Sequence, residues 1–153
     1  MDKISDNLYK TFVYDDRYKY ILEGLGNTLI IAFFAVIIGV ILGIIVSLVR
    51  NNYEVNGKGK ISNFIANSYV TIIRGTPVIL QLMIIYYVIF KSSDVNILIV
   101  GILAFGINSG AYVSEIIRSG INAIDKGQLE AGLALGLSYS KVMRLVIMPQ
   151  AIK

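Results

Sequence analysis

An all-α membrane protein is the fold class this sequence predicts, and three observations predict it. The 153 residues are 56% hydrophobic and only 16% charged, where soluble domains carry about 25% charged residues. The apolar residues gather into three long runs instead of short alternating segments. Between the runs the basic residues are unevenly distributed, which is the pattern that orients helices in a bilayer.

The first run follows an N-terminal segment, residues 1–23, of mixed charge and rich in Tyr9, Tyr14, Tyr18 and Tyr20. That composition suits an amphipathic stretch at the outer headgroups, and equally a flexible lead-in. From Gly24 to Val49 there is no charged residue. A helix needs about 20 residues to cross a hydrocarbon core of about 30 Å, and this run suffices. It is too long, starts too late and lacks the small-residue cleavage site for a signal peptide. The second run covers Ser62 to Phe90 and is interrupted by Arg74. The piece after Arg74 alone would reach about 24 Å at 1.5 Å per residue, so the span is expected to recruit a turn before Arg74, with the guanidinium snorkelling to headgroups. The residues before it either continue the helix or lie along the interface. The third run, Val95 to Ile117, is apolar in its first half and polar in its second.

Charges set the expected topology. Arg50, Lys58 and Lys60 outweigh Glu54 between the first two runs, and Arg118, Lys126, Lys141, Arg144 and Lys153 follow the third. Only Lys91 and Asp94 lie between the second and third. The positive-inside rule then puts the N-terminus outside and the segment after the third run in the cytoplasm. Tyr86, Tyr87 and Phe90 fall where an outer aromatic belt is expected. The net charge of +4 is read as orienting loop charge. No polar face clusters Lys and Arg for a nucleic acid, so lipid is the expected surrounding and nucleic acid is not an expected partner.

The chain has neither Cys nor His. This excludes disulfide frameworks, thiol redox chemistry, Cys/His zinc sites and histidine acid–base catalysis. No metal site and no catalytic residues are expected, and an intramembrane enzyme lacks its nucleophile–base pair.

Two pairs of small residues, Gly39 with Gly43 and Gly106 with Gly110, share a helix face at four-residue spacing. They are read either as close helix packing or as ordinary glycine content. Asn108, Tyr112 and Glu115 share one face of the third run, with Ser109 beside them. A charged group near the bilayer centre costs at least about 2.5 kcal/mol, so Glu115 is expected to face a cavity, the inner interface or a partner charge. One reading makes this face a substrate pathway with Glu115 meeting a substrate cation; the other makes Glu115–Arg118 an i,i+3 pair near the headgroups. Thr76 and Gln81 raise the pathway question on the second run, and Pro77 marks either an ordinary helix start or a break.

The segment after the third run reads as helix–turn–helix. Asp125 followed by Gln128 resembles a capping box, and Leu129, Leu133 and Leu137 recur at helical spacing. Gly136 stops or bends the first helix, Ser138 or Ser140 caps the second, and Pro149 ends or kinks it. A unit this small must pack on its own spans or on a partner.

EAGLALG, nine residues and VIMP together resemble the EAA loop of ABC importer permeases, which reads Glu-Ala-Ala, three residues, Gly, nine residues, Ile-x-Leu-Pro. The match falls on Glu130, Ala131, Gly136, Val146 and Pro149, and the departures are Gly132 and Met148. RGTPVILQL, with Arg74, Gly75 and Pro77, and the stretch from Asn108 to Ser138 resemble the polar amino-acid branch of that family, the histidine/glutamine/arginine type. The resemblance covers residues 24–153.

It implies a type I importer transmembrane domain with a cytoplasmic coupling segment, in which Gly127, Glu130, Ala131, Gly136 and Pro149 serve ATPase coupling. It also implies a cytoplasmic ABC ATPase, a second or sister permease, and an extracytoplasmic amino-acid-binding protein. No cofactor is expected in this chain. It has no G-x-x-x-x-G-K-[ST] phosphate cradle, so ATP would be bound by the partner subunit. The family pattern continues with about two further spans, so three of the usual five are expected here, in a domain that is incomplete at its C-terminus. The competing function class is a passive channel or a secondary transporter fragment, which leaves the helix–turn–helix without a purpose.

Overall fold

The computed structural model describes Lys3, Asn7 and residues 9–91 and 94–151; Lys153, counted above among the basic residues, lies outside them. Short turns at Tyr9–Val13 and Tyr14–Asp16 lead into helix α1, Arg17–Asn56. Asp15 and Asp16 take positive φ values of 58° and 55°, which separates those turns from the helix. Arg17 to Glu23, placed above in the lead-in, form the first turns of α1. Its 40 residues span about 60 Å, twice a hydrocarbon core of about 30 Å. The helix also continues past the apolar run, so Arg50 and Glu54 are helical rather than loop residues.

A short glycine link joins α1 to α2, Lys60–Gly75. Next comes α3, Val78–Ile84, which runs on through a π turn at Ile85–Ile89. There the Tyr86 and Tyr87 rings meet edge-on at 4.8 Å. Helix α4, Ile97–Asn122, begins at an Asn96 cap whose side chain accepts from the Leu98 N–H. Two short helical segments follow: α5, Lys126–Ala134, and α6, Tyr139–Val142, which continues through a π turn at Met143–Ile147 to Met148–Ala151.

The core is the α1–α4 pair. Ile31 lies against Gly101, Ile38 against Gly106, Leu42 against Gly110, and Gly43 against Val113. Both numbers rise together, so the helices run parallel and the chain must return between them. Both small-residue pairs sit in this contact. A Cβ on Gly43 would lie 2.6 Å from Val113 Cβ and 3.0 Å from the Ser114 nitrogen. Close backbone approach thus explains the glycines, as small residues do at helix contacts in membranes. Leu29, Phe33, Val36, Ile41 and Leu48 remain exposed along α1.

By length and composition α1 and α4 can each cross a membrane, and α2 with α3 makes a third crossing if the bent pair is one span. The second run is not a straight span: α2 and α3 meet at a bend of 110°. Pro77 is the cause. It has no N–H for the Ile73 carbonyl, and its ring drives Thr76 to an extended conformation, φ −122° and ψ 146°.

Candidate functional site

The bend is closed by side chains. Gln81 Nε2 donates to the Ile73 carbonyl at 2.8 Å, to the Thr76 carbonyl at 3.1 Å and to Thr76 Oγ1 at 2.8 Å. Ile73 is the residue whose helical partner Pro77 removes, so Gln81 supplies the missing donor. Thr76 Oγ1 donates in turn to the Ile72 carbonyl at 2.8 Å. On its other side Gln81 Oε1 accepts from Asn108 Nδ2 at 3.2 Å, which ties the bend to α4. Tyr69 adds a second tie, donating to the Ile107 carbonyl at 2.6 Å. Thr76, Gln81 and Asn108 are therefore brought together, with Gln81 buried.

Further along α4, Glu115 is the hub of an ionic cluster. Its Oε2 accepts from Arg50 Nη1 of α1 at 2.8 Å and lies 3.7 Å from Arg74 Nη1 of α2. Its Oε1 accepts from Arg118 Nε at 3.1 Å and Nη2 at 2.9 Å. Arg118 also faces Glu54 at 3.6 Å. The i,i+3 pair with Arg118 is thus present, and two further arginines join it. A substrate ammonium would have to displace a guanidinium to reach this carboxylate. Arg74 lies over the Tyr112 ring at 5.5 Å. Ser109, beside the Asn108–Tyr112–Glu115 face, packs on Gly39 in the α1–α4 contact. Gly75 ends α2 with open space around it.

The last two helices form a hairpin against the far ends of α1 and α4. Asp125 Oδ1 accepts from the Gly127 N–H at 2.6 Å, an N-cap bond. Gly136 has φ +79°; its N–H reaches the Leu133 carbonyl at 2.9 Å and the Leu137 N–H reaches that of Gly132 at 3.2 Å. This is a Schellman stop. Ser138 occupies the next N-cap position without a side-chain bond. The Tyr139 hydroxyl meets the Asn51 amide at 3.3–3.4 Å, fastening the hairpin to α1. Pro149 does not end α6. The π turn just before it widens the helix, and the helix continues to Ala151.

Residues 39–153 match the family described as the binding-protein-dependent transport system inner membrane component. The chain belongs to that family. It is 47% identical over 141 residues to the arginine transport system permease protein ArtQ of Bacillus subtilis, covering 88% of this chain and 60% of that protein. It is 35% identical over 136 residues to the glutamine transport system permease protein GlnP of Escherichia coli, covering 87% and 60%. The crystal structure of an amino acid ABC transporter with histidines superposes with a TM-score of 0.79 at 37% identity, covering 99% of this chain and 65% of the other. The chain thus spans about 60% of the length of the relatives it matches.

In this inner membrane component the EAA-like residues lie on the hairpin. Glu130 and Ala131 are exposed on α5, Gly136 makes its turn, and Pro149 is exposed on the last helical segment. The departure at Gly132 has a packing reason. A Cβ there would sit 2.7 Å from Val142 Cγ2, and Val142 is fully buried between the two short helices. For Met148 in place of Leu the structure offers no explanation. Arg50, Glu54 and the Asn51–Tyr139 contact are participants that sequence reading missed.

Proposed function

We propose that the chain is the permease subunit of an ATP-driven importer of polar amino acids, with no enzymatic activity of its own. It lies in the cell membrane as a multi-pass protein, N-terminus outside and the α5–α6 hairpin in the cytoplasm. The hairpin docks on a cytoplasmic ABC ATPase, which binds the ATP, through Glu130, Ala131 and the exposed Leu133 and Leu135. Gly127, Gly136 and Pro149 shape that hairpin. A second copy or a sister permease completes the path, and an extracytoplasmic binding protein delivers the substrate.

The observation that carries this reading is the hairpin itself. Glu130, Ala131, Gly136 and Pro149 are exposed on it, while the Tyr139–Asn51 contact fastens it to α1. Pushing such a lever moves α1 and α4, and a passive channel has no use for it. Relatives named for arginine and glutamine transport support the substrate class.

The test is reconstitution of the complete permease with its ATPase and binding protein in proteoliposomes. Uptake of labelled arginine, glutamine or histidine is expected to require ATP inside the compartment that holds the ATPase. Equal uptake without ATP would favour a channel or secondary transporter instead.

A further inference from the structure

Helix α2 carries a polar stripe that no motif predicted. Lys60, Asn63, Asn67, Thr71 and Arg74 recur at three- and four-residue intervals, so they share one face. On one side of the stripe Ala66 and Val70 are buried against the bundle; on the other Ile61, Ile65 and Ile72 are exposed. Lys60, Asn63, Asn67, Ser68 and Thr71, together with Tyr53, Phe64 and Ile72, line a groove of about 410 Å³. Polar side chains between two apolar faces of a membrane-embedded helix need water or a polar partner.

The stripe ends at a cation whose charge is not balanced. Among the described residues, three guanidiniums, Arg50, Arg74 and Arg118, stand around Glu115 against two carboxylates, Glu54 and Glu115. Arg50 and Arg118 hold Glu115 at 2.8 and 2.9 Å, whereas Arg74 stands off at 3.7 Å. The Arg74 side chain is also 41% exposed, against 10% for Arg50. The surplus positive charge therefore rests on the guanidinium that is most open and least engaged. The Tyr112 ring lies 5.5 Å from it on one side. A guanidinium fork matches a carboxylate with two parallel hydrogen bonds.

We propose that the polar face of α2 is a water-lined wall of the substrate path and that Arg74, at its end, binds the carboxylate of the passing amino acid. The inference rests on the permease reading above and assigns a role within it. Glu115 then acts as a positioning residue that keeps Arg74 near the path without neutralising it. The same fork would accept a lipid phosphate, and the test separates the two sources.

These 153 residues hold no cysteine, and once any in the rest of the complex are replaced, single cysteines report cleanly. Thr71→Cys and Ile65→Cys would be placed in the complete permease–ATPase complex, without binding protein, in phosphatidylcholine nanodiscs, and treated with a charged methanethiosulfonate reagent. Thr71→Cys is expected to react faster than Ile65→Cys. Millimolar L-arginine or L-glutamine should slow its reaction about tenfold, the scale of one charge-assisted hydrogen-bonded contact. The corresponding amino-acid amides, which lack the carboxylate, should not. Arg74→Gln should abolish the protection and Arg74→Lys should retain part of it, in complexes that assemble as wild type does.

Equal reactivity at both cysteines, equal protection by the amides, or full protection in Arg74→Gln would each overturn the proposal. Protection that requires phosphatidylglycerol and ignores amino acids would assign the anion to lipid and overturn it too. ATP-dependent uptake, measured separately with binding protein and wild-type permease, shows whether a failure lies here or in the permease reading.

Discussion

Replacing Gln81 with Leu should loosen the bend between α2 and α3 more than its single side chain implies. Three acceptors lose their donor together: the Ile73 carbonyl, the Thr76 carbonyl and Thr76 Oγ1. The Ile73 carbonyl has no helical alternative, because Pro77 carries no N–H. Asn108 Nδ2 also loses its acceptor. A buried unsatisfied group costs about 1–3 kcal/mol, while measured hydrogen bonds between membrane helices average about 0.6 kcal/mol. Thr76 Oγ1 keeps its bond to the Ile72 carbonyl, so three groups, Ile73 O, Asn108 Nδ2 and Thr76 O, bear the loss. The expected destabilisation is about 2–4 kcal/mol. Denaturant unfolding of the purified complete permease in micelles would read it. Adding Asn108→Leu to Gln81→Leu should recover part of the loss, because the second orphan disappears. A change below about 0.5 kcal/mol in Gln81→Leu, or strict additivity in the double variant, would refute the reasoning.

Three further outcomes follow from the packing. Gly43→Ala should lower the melting temperature of the complex despite the better helix propensity of Ala, since its Cβ would meet Val113 and Ser114; overpacking of this kind costs about 1–3 kcal/mol. Gly24→Ala, with nothing within 4 Å, is the control and should be neutral or slightly stabilising. Ser114→Ala should leave stability unchanged or improve it, because the buried Ser114 Oγ has no hydrogen-bond partner among the described residues; a clear loss in the same melt would reveal one. Asp125→Ala removes the N-cap bond to Gly127 and should cost α5 about 1 kcal/mol, seen as roughly fivefold faster amide exchange at Gly127 to Leu129. Unchanged exchange there would mean that the cap does not hold the helix.

The spans and the hairpin were legible because their signals are local. An uncharged run marks a crossing, and Asp125 and Gly136 mark the two ends of α5 through bonds to residues only a few positions away. The 110° bend was half legible: Pro77 announced a break, but the tie from Gln81 to α4 is made by Asn108, 27 residues further along the chain. The ionic cluster was the least legible. Arg50 and Glu54 follow the apolar run and read as loop charge, yet nothing breaks the helix before Gly57, and that continuity was the missed cue. Only packing of α1, α2 and α4 brings Arg50 and Arg74 to Glu115. Spacing alone likewise does not show that Gly39 opens room for Ser109 on α1.

The proposed role of the hairpin, as the lever between an ATPase and the spans, is tested most directly by a cross-link. Ala131→Cys, exposed on α5 in a chain without other cysteines, would carry a benzophenone maleimide in the assembled complex. The account predicts a photo-cross-link to the ATPase subunit whose yield changes when ATP is bound. Absence of that cross-link, with Ala131→Cys instead labelled in intact cells by a membrane-impermeant maleimide, would contradict it.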